Sequence, residues 1–169
     1  GLQAFAEDLG DITDEVHQLR ETLGWRGMKV LQFGFDGQPG NPYLPPWPTT
    51  DWVVTPGTHD NNTTVGWLQT AGAETQARVH AWLSEQNLPV DDPAGSLIRA
   101  AWASQADWAV ATLQDVLRLG SWARMNTPGQ TGDCWSWRAR ALPAAVASEL
   151  RALNTQTGRC TAPADEETL

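Results

Sequence analysis

Two short acidic motifs hold the side chains of this sequence whose type and position best suit chemistry. Glu7 lies in the motif AEDLG after an apolar segment, and Asp60 follows His59 in the motif THDN after another. In parallel α/β proteins the chemistry is built where strands end and helices begin. Two carboxylates at the ends of two different strands predict acid/base chemistry on a bound substrate.

A purely structural explanation of the same two residues stays open at this stage. Asp and Asn are favoured just before the first turn of a helix, so Asp60 could cap the helix that follows it. Glu7 could be a solvated acid of a surface loop. The local pattern does not decide between these interpretations, and the choice depends on what the rest of the chain builds around the two residues.

Short apolar segments alternate with helical ones along the chain. Largely apolar runs predict buried strands, and apolar residues three or four apart predict helices. The predicted strands are Leu2–Ala6, Met28–Phe35, Trp52–Thr55 and Trp108–Leu113. The predicted helices are one between Thr13 and Gly24, then Asn62–Leu68, Glu74–Glu85, a segment capped by Ser96 that continues through Trp102, and Pro143–Leu153. This alternation predicts an α/β fold with a parallel sheet and helical crossovers.

The composition excludes several classes of partner. The chain has 169 residues and a net charge of −9, whereas nucleic-acid binding needs a basic face. No apolar run approaches the ~18 residues of a membrane span, so no membrane partner is expected. No leader-peptide pattern opens the sequence, and we expect a cytoplasmic protein. The spacing of Cys134 and Cys160 indicates no metal site.

Ten tryptophans are the most unusual feature of the composition. Aromatic faces suit the C–H surfaces of sugar rings, although most tryptophans pack in or near a protein core. We therefore expect only two or three of the ten on a ligand surface. The ten are Trp25, Trp47, Trp52, Trp67, Trp82, Trp102, Trp108, Trp122, Trp135 and Trp137.

A series of motifs occurs in a fixed order from about Ala6 to about Leu153. In chain order they are AEDLGDIT, GMKVLQF, NPYLP, GTHDN, LQD, RMNTPG and WSWR. Together they resemble the C-terminal part of the amylomaltases, the 4-alpha-glucanotransferases of glycoside hydrolase family 77. The order of several motifs carries this resemblance, because no single one of them is specific.

The resemblance implies an alpha-amylase-like (β/α)8 TIM barrel, of which this chain supplies an incomplete, C-terminal part. Residues 1–154 are expected to form the C-terminal half of the catalytic barrel, and residues 155–169 a polar C-terminal tail. Family members cut an α-1,4 bond in a maltooligosaccharide and pass the glucan to another sugar by a retaining double displacement. The expected partners are maltooligosaccharides or other α-1,4-glucans of starch and glycogen metabolism, with no cofactor.

The resemblance also assigns roles to five residues. By position, Glu7 matches the acid/base glutamate of the family and Asp60 its transition-state-stabilising aspartate. His59 matches a substrate-binding histidine. Phe33 is expected at the end of a strand on the acceptor side of the sugar, and Asn126 in a loop near the site. A retaining enzyme needs two carboxyl groups about 5–5.5 Å apart, one as nucleophile and one as acid and then base.

The nucleophilic aspartate of the family has no counterpart in this sequence. In the family it lies one strand before AEDLG, in an Arg-x-Asp-His context, and the sequence begins after that point. We therefore expect a half barrel with two unpaired edges that is unstable or inactive alone. Arg118, which stands where a glycine is expected, is a smaller departure. Two other functions stay open: an alpha-amylase-type hydrolase and a non-catalytic glucan-binding remnant.

Overall fold

A computed structural model describes residues 4–160, which divide into two compact units between Trp137 and Arg138. The elements in chain order are α1 (Asp14–Thr22), β1 (Gly27–Val30), a 3₁₀ helix (Leu31–Phe35), β2 (Trp52–Thr55), α2 (Thr64–Thr70), α3 (Ala73–Glu85), α4 (Pro93–Ala103), β3 (Trp108–Ala109), α5 (Leu113–Val116), a second 3₁₀ helix (Ser121–Ala123) and α6 (Ala144–Gln156). Among the described residues, α6 alone belongs to the smaller unit. None of these helices is long and apolar enough to cross a membrane.

The three strands form a parallel sheet in the order β1–β2–β3, which confirms the prediction of an α/β fold with a parallel sheet. Val53 lies at its centre and is paired with both Met28 and Trp108. A parallel bridge between Phe5 and Arg26 extends the sheet beyond β1. Part of the predicted first strand lies outside the described residues. The described part of that segment occupies the sheet position next to β1, so chain order and sheet order agree.

The two faces of the sheet have different neighbours. On one face Val54 packs with α3 and α4, where Val79, Leu83 and Leu97 are fully buried. Full burial of one such side chain contributes about 1.5–3 kcal/mol, so this layer stabilises the larger unit. Side chains alternate along a strand, and Val53 therefore points to the opposite face. That face borders an open cavity, which leaves it available for a functional site.

The strand predicted over Met28–Phe35 is too long. Strand β1 ends at Val30, and the chain continues as a 3₁₀ helix. Leu31 and Phe35 are four residues apart, and both enter the core beneath the helices. An apolar run satisfies strand and helix spacing equally well, so the pattern alone could not place this boundary. Phe33 consequently lies in a helical turn and not at the end of a strand.

The strand predicted over Trp108–Leu113 is also too long. Strand β3 contains Trp108–Ala109, and α5 begins at Leu113. The side chain of Thr112 accepts a hydrogen bond from the backbone N–H of Asp115, which caps the start of α5. Threonine is a favoured helix cap, and this local bond ends the extended segment.

Two helix boundaries differ from the predictions. Helix α4 begins at Pro93 with Asp92 as its cap, and Ser96 lies inside it. An acid followed by proline at the first helical position is a strong helix start, which explains why Asp92 and not Ser96 caps α4. Helix α6 continues to Gln156, into the predicted tail. Residues 161–169 of that tail lie outside the described residues, and the division into barrel half and tail stays a prediction.

Candidate active site

The loops that follow the three strands are tied together by one buried polar network. Gln32 follows β1, Thr64 follows β2 and Asp115 follows β3, and all three side chains are buried. Gln32 Nε2 donates to Thr64 Oγ1 at 3.2 Å, and the backbone N–H of Thr64 donates to Asp115 Oδ1 at 2.6 Å. Buried polar groups of this kind must be paired, so the network fixes the relative positions of the three loops.

Burial raises the pKa of Asp115 above its ordinary value, although hydrogen bonds from Thr64 and Thr112 act in the opposite direction. A fully buried carboxylate loses the solvation of its charge, and these donors replace only part of it. Asp115 therefore has the environment of a structural acid enclosed by the loops.

The THDN turn is held in shape by its own side chains. Asn61 Oδ1 accepts hydrogen bonds from the backbone N–H of Thr58 at 2.8 Å and from its hydroxyl at 2.9 Å. The N–H of Asp60 donates to Thr58 Oγ1 at 3.2 Å. Helix α2 is capped by Thr63, whose side chain accepts from the N–H of Gly66. Asp60 is therefore not the cap of α2, and its carboxylate is available for other contacts.

A second loop, from the RMNTPG motif, is hydrogen-bonded to this turn. Asn126 Nδ2 donates to Asp60 Oδ1 at 2.6 Å, and the backbone N–H of Asn126 donates to the carbonyl of His59 at 3.1 Å. The guanidinium of Arg124 donates to the backbone carbonyls of Asp60 and Asn126, each at 2.7 Å. Asn126 thus contacts the Asp60 carboxylate directly, and Arg124 locks the two loops to each other.

His59 lies at the exposed side of this arrangement. Its Nε2 is 3.3 Å from Asp60 Oδ1, and half of its side chain is exposed. The ring of Trp135 packs against the imidazole with centroids 5.0 Å apart. Histidine and a carboxylate in contact can together donate and accept hydrogen bonds, which suits a ligand rich in hydroxyl groups.

Two cavities meet at His59. The larger, about 510 Å³, lies on the open face of the sheet, and its wall includes Glu7, His59 and apolar strand residues such as Val53. The smaller, about 260 Å³, is walled by His59, Trp135 and several polar side chains of the surrounding loops. The structure therefore brings Glu7 to the same cavity as His59, which is in turn paired with Asp60.

Phe33 contributes to the wall of neither cavity. Its ring packs edge-on against Tyr43, with centroids 5.4 Å apart, and its carbonyl accepts a hydrogen bond from Asn41 Nδ2 at 2.9 Å. Of the five residues singled out from the sequence, His59, Asp60 and Asn126 are in direct contact, Glu7 shares a cavity with His59, and Phe33 lines neither cavity. Its role on the acceptor side stays a prediction.

The neighbour of Glu7 anchors the AEDLG motif to the sheet. Asp8 Oδ1 accepts the backbone N–H of Met28 at 2.7 Å, and its Oδ2 lies 3.3 Å from Arg20 Nε. A Cβ on Gly27 would fall 2.5 Å from the Asp8 carboxylate, so only glycine allows this approach. The sequence did not predict this anchor. Its one trace in the sequence is a second acid, Asp8, directly after Glu7.

No group of three or more His, Cys, Asp or Glu side chains among residues 4–160 is arranged to hold a metal ion. The side chains at the site offer carboxyl, imidazole and amide groups. Glu7 offers a carboxyl group at the rim of an apolar cavity, and the His59–Asp60–Asn126 group offers fixed hydrogen-bonding partners beside it. This arrangement is suited to hold a polyol and to exchange a proton with it.

The family model described as 4-alpha-glucanotransferase, glycoside hydrolase family 77, matches residues 1–143. The chain belongs to glycoside hydrolase family 77. The resemblance seen in the motifs is thereby confirmed. The 4-alpha-glucanotransferase of Synechocystis is 46% identical over 138 residues, and that of Thermus thermophilus is 43% identical over 167 residues. These matches cover 81% and 94% of this chain.

The fold agrees with this family 77 assignment. The structure is similar to that of an amylomaltase from Streptococcus agalactiae in complex with acarbose, with a TM-score of 0.81 and 29% identity over 93% of this chain. The chain spans about a third of the length of that structure and of the Thermus relative, and about a quarter of the Synechocystis relative. It therefore corresponds to one part of an amylomaltase.

Proposed function

We propose that this chain forms the acid/base side of the active site of a 4-alpha-glucanotransferase that transfers α-1,4-glucan segments between maltooligosaccharides. One observation carries the proposal: Glu7 shares a cavity with His59 at the carboxyl ends of parallel strands, in a chain that belongs to family 77. The active protein is the full-length barrel, by which we mean the polypeptide that joins this chain to the other strands of its family.

In this proposal Glu7 moves the protons of the reaction. As an acid it protonates the oxygen of the scissile glycosidic bond, and as a base it then takes the proton from the 4-hydroxyl of the acceptor sugar. Its exposure at the cavity rim lets both sugars approach. The contacts of Asp8 with Met28 and Arg20 support this role, because they fix the backbone that carries Glu7.

Asp60 and His59 hold the hydroxyl groups of the reacting sugar ring. The amide of Asn126 and the guanidinium of Arg124 fix the Asp60 segment before any substrate arrives. Such preorganisation favours a distorted, positively charged ring over the ground-state sugar, because the hydrogen bonds need no rearrangement during the reaction. Asn126 contributes to sugar binding in two ways: it positions the carboxylate of Asp60, and it is itself a substrate-binding residue.

The nucleophile comes from elsewhere in the full-length barrel. Glu7 is the one acidic residue on the wall of the larger cavity in the described part of the chain, and a retaining mechanism needs two carboxyl groups. The proposal therefore includes an aspartate from a preceding barrel strand. It also includes an incomplete (β/α)8 barrel for this chain alone and a cytoplasmic location.

The test is product analysis on maltotriose with the full-length barrel. We expect disproportionation, with glucose and glucans longer than maltotriose formed together. Glu7→Gln should lower kcat by about 10²–10⁴-fold, which is the range for loss of a positioned acid or base. Asp60→Asn should lower kcat by about 10²–10³-fold, which is the range for loss of a group that stabilises charge in the transition state. Glu85→Gln and Asp91→Asn, the same changes at exposed sites outside both cavities, should leave kcat unchanged.

The alternatives predict other products. A hydrolase of the alpha-amylase type releases glucose and maltose from maltotriose without longer glucans. A non-catalytic glucan-binding protein binds maltooligosaccharides without turnover, and its binding survives Glu7→Gln and Asp60→Asn. Normal transferase rates in both acid variants would show that the assignment of Glu7 and Asp60 is wrong.

A further inference from the structure

Trp135 has a backbone conformation that a large side chain rarely adopts. Its φ is +62°, in the left-handed region that favours glycine. A bulky residue in this region costs on the order of 1–3 kcal/mol, and such residues concentrate where the surroundings hold them for function. More than half of the Trp135 side chain is nevertheless exposed, so burial of the indole does not explain why the strain is kept.

The strained backbone places the indole beside the candidate catalytic group. The backbone N–H of Trp135 donates to the backbone carbonyl of Met125 at 2.6 Å, which connects Trp135 to the loop that holds Asp60. Its ring contacts the imidazole of His59 at a centroid distance of 5.0 Å and an angle of 39° between the planes. One part of the indole thus contacts His59, and the other part faces solvent.

The exposed part of the indole borders the smaller cavity. Trp135 and His59 form its aromatic wall, and Asn61, Gln114 and Arg124 are among the polar side chains around it. Its volume of about 260 Å³ is below the ~300 Å³ at which pockets for drug-sized ligands begin. An aromatic surface ringed by amide and guanidinium groups suits a single sugar ring, which has C–H faces and an edge of hydroxyl groups.

We propose that Trp135 is a substrate-binding residue that stacks on one glucosyl unit of an α-1,4-glucan in the smaller cavity. The inference rests on the proposed function, and it adds a binding position in the smaller cavity, which shares His59 with the Glu7 cavity. In this role the left-handed backbone presents the indole to the sugar. The loss of the ring therefore weakens binding of the substrate without affecting the proton transfers at Glu7.

The kinetic test uses three variants of the full-length barrel. Trp135→Gly removes the ring and also the backbone strain, so the fold should be at least as stable as before. We expect it to raise KM for maltotriose about tenfold with kcat little changed. This pattern indicates loss of a contact that is equally strong in the bound substrate and in the transition state. Trp135→Phe keeps an aromatic face and should stay within about threefold of the parent KM. Trp122→Ala removes an even more exposed indole outside this cavity and should change neither constant.

A spectroscopic test addresses binding without turnover. The protein is labelled with 5-fluorotryptophan, and the resonance that is missing in Trp135→Phe is assigned to Trp135. Addition of acarbose should shift this resonance and leave that of Trp122, assigned in the same way, unmoved. A Trp135 resonance that stays fixed while acarbose inhibits the enzyme, or an unchanged KM in Trp135→Gly, would overturn the inference.

The two proposals fail separately. If the full-length barrel does not disproportionate maltotriose, the proposed function is wrong, and the acarbose titration still decides whether Trp135 contacts a sugar. If disproportionation is normal and both Trp135 tests are negative, the proposed function stands and the binding position is wrong. A fall in both kcat and melting temperature in Trp135→Gly would indicate a structural role and would also overturn the inference.

Discussion

Asp115 offers the most direct test of how the site loops are held together. The change Asp115→Ala removes the carboxylate that accepts the backbone N–H of Thr64 at 2.6 Å. Thr64 has no exposed surface, so this N–H is left without a partner in the protein interior. The Thr64 hydroxyl, which also contacts Asp115, loses a partner at the same time. A water molecule that replaced these partners would have to enter the buried network that links Thr64 to Gln32.

The expected cost follows from the number of groups left unpaired. An unsatisfied buried donor costs about 1–3 kcal/mol, so two donors in one network predict a loss of about 2–6 kcal/mol in the free energy of unfolding. Asp115→Asn keeps an oxygen where Thr64 needs one and removes only the charge. It should therefore cost less than about 1 kcal/mol.

The pH dependence of the two proteins should differ in a definite direction. Burial raises the pKa of Asp115 above the ordinary value of 3.8, so the folded state holds this proton more tightly than the unfolded state. The resulting stabilisation is complete below pH 3.8 and is lost as the pH rises through the folded pKa. Asp115→Asn lacks this loss, and its stability relative to the parent should rise as the pH increases from 3.8 through the folded pKa of Asp115.

Urea unfolding of the full-length barrel and the two variants measures these differences. Opposite contributions from Asp36 and Asp51, whose pKa values are lowered, are common to all three proteins and cancel in the comparison. If Asp115→Ala unfolds within about 0.5 kcal/mol of the parent, a change no larger than that of a typical surface substitution, the Asp115 network does not hold the loops together. The same follows if Asp115→Asn is as costly as Asp115→Ala.

Two glycine-related predictions follow from close contacts and backbone angles. Gly57→Ala should destabilise by about 1–3 kcal/mol in urea unfolding, because its Cβ would lie 2.6 Å from Gln32 Nε2; Gly72→Ala, with no atom within 4 Å, should be near neutral. Arg118→Ala should have a lower melting temperature than Arg118→Gly, because its free energy of unfolding is smaller by about 1 kcal/mol. Both lose the ion pair with Asp92, and only glycine relieves the φ of +56°; equal melting temperatures would contradict this.

The sequence was most informative where local chemistry and tertiary structure agree. The strand over Trp52–Thr55 has the predicted bounds, and α3 differs from its prediction by one residue. The Trp52–Thr55 run is short, apolar and followed by a turn, so no other element competes for it. The grouping of Glu7 with His59 also follows from their positions after parallel strands, because the carboxyl ends of such strands share one edge of the sheet.

The sequence was least informative where a buried polar contact decides the geometry. The pairing of Gln32, Thr64 and Asp115 joins residues up to 83 positions apart, and no periodicity reports such a contact. The helical turn at Phe33 has a different origin, because the burial of Leu31 and Phe35 in the apolar core ends the strand at Val30. Trp135 could have been suspected only as one of ten tryptophans, since its left-handed backbone leaves no signal in the residues around it.

These observations explain how the contacts within this chain hold the proposed site in shape. The helical layer fixes the sheet from one side, through Val54 and the residues packed on it. The loops at the carboxyl ends of the strands are fixed by polar contacts within this chain, which include those of Asp115 and Asn126. In the proposed full-length barrel, the other strands supply the nucleophile and cover the apolar face. A partner barrel half should therefore restore activity by docking to a site that is already arranged, and Asp115→Ala should impair that restoration more than Asp115→Asn.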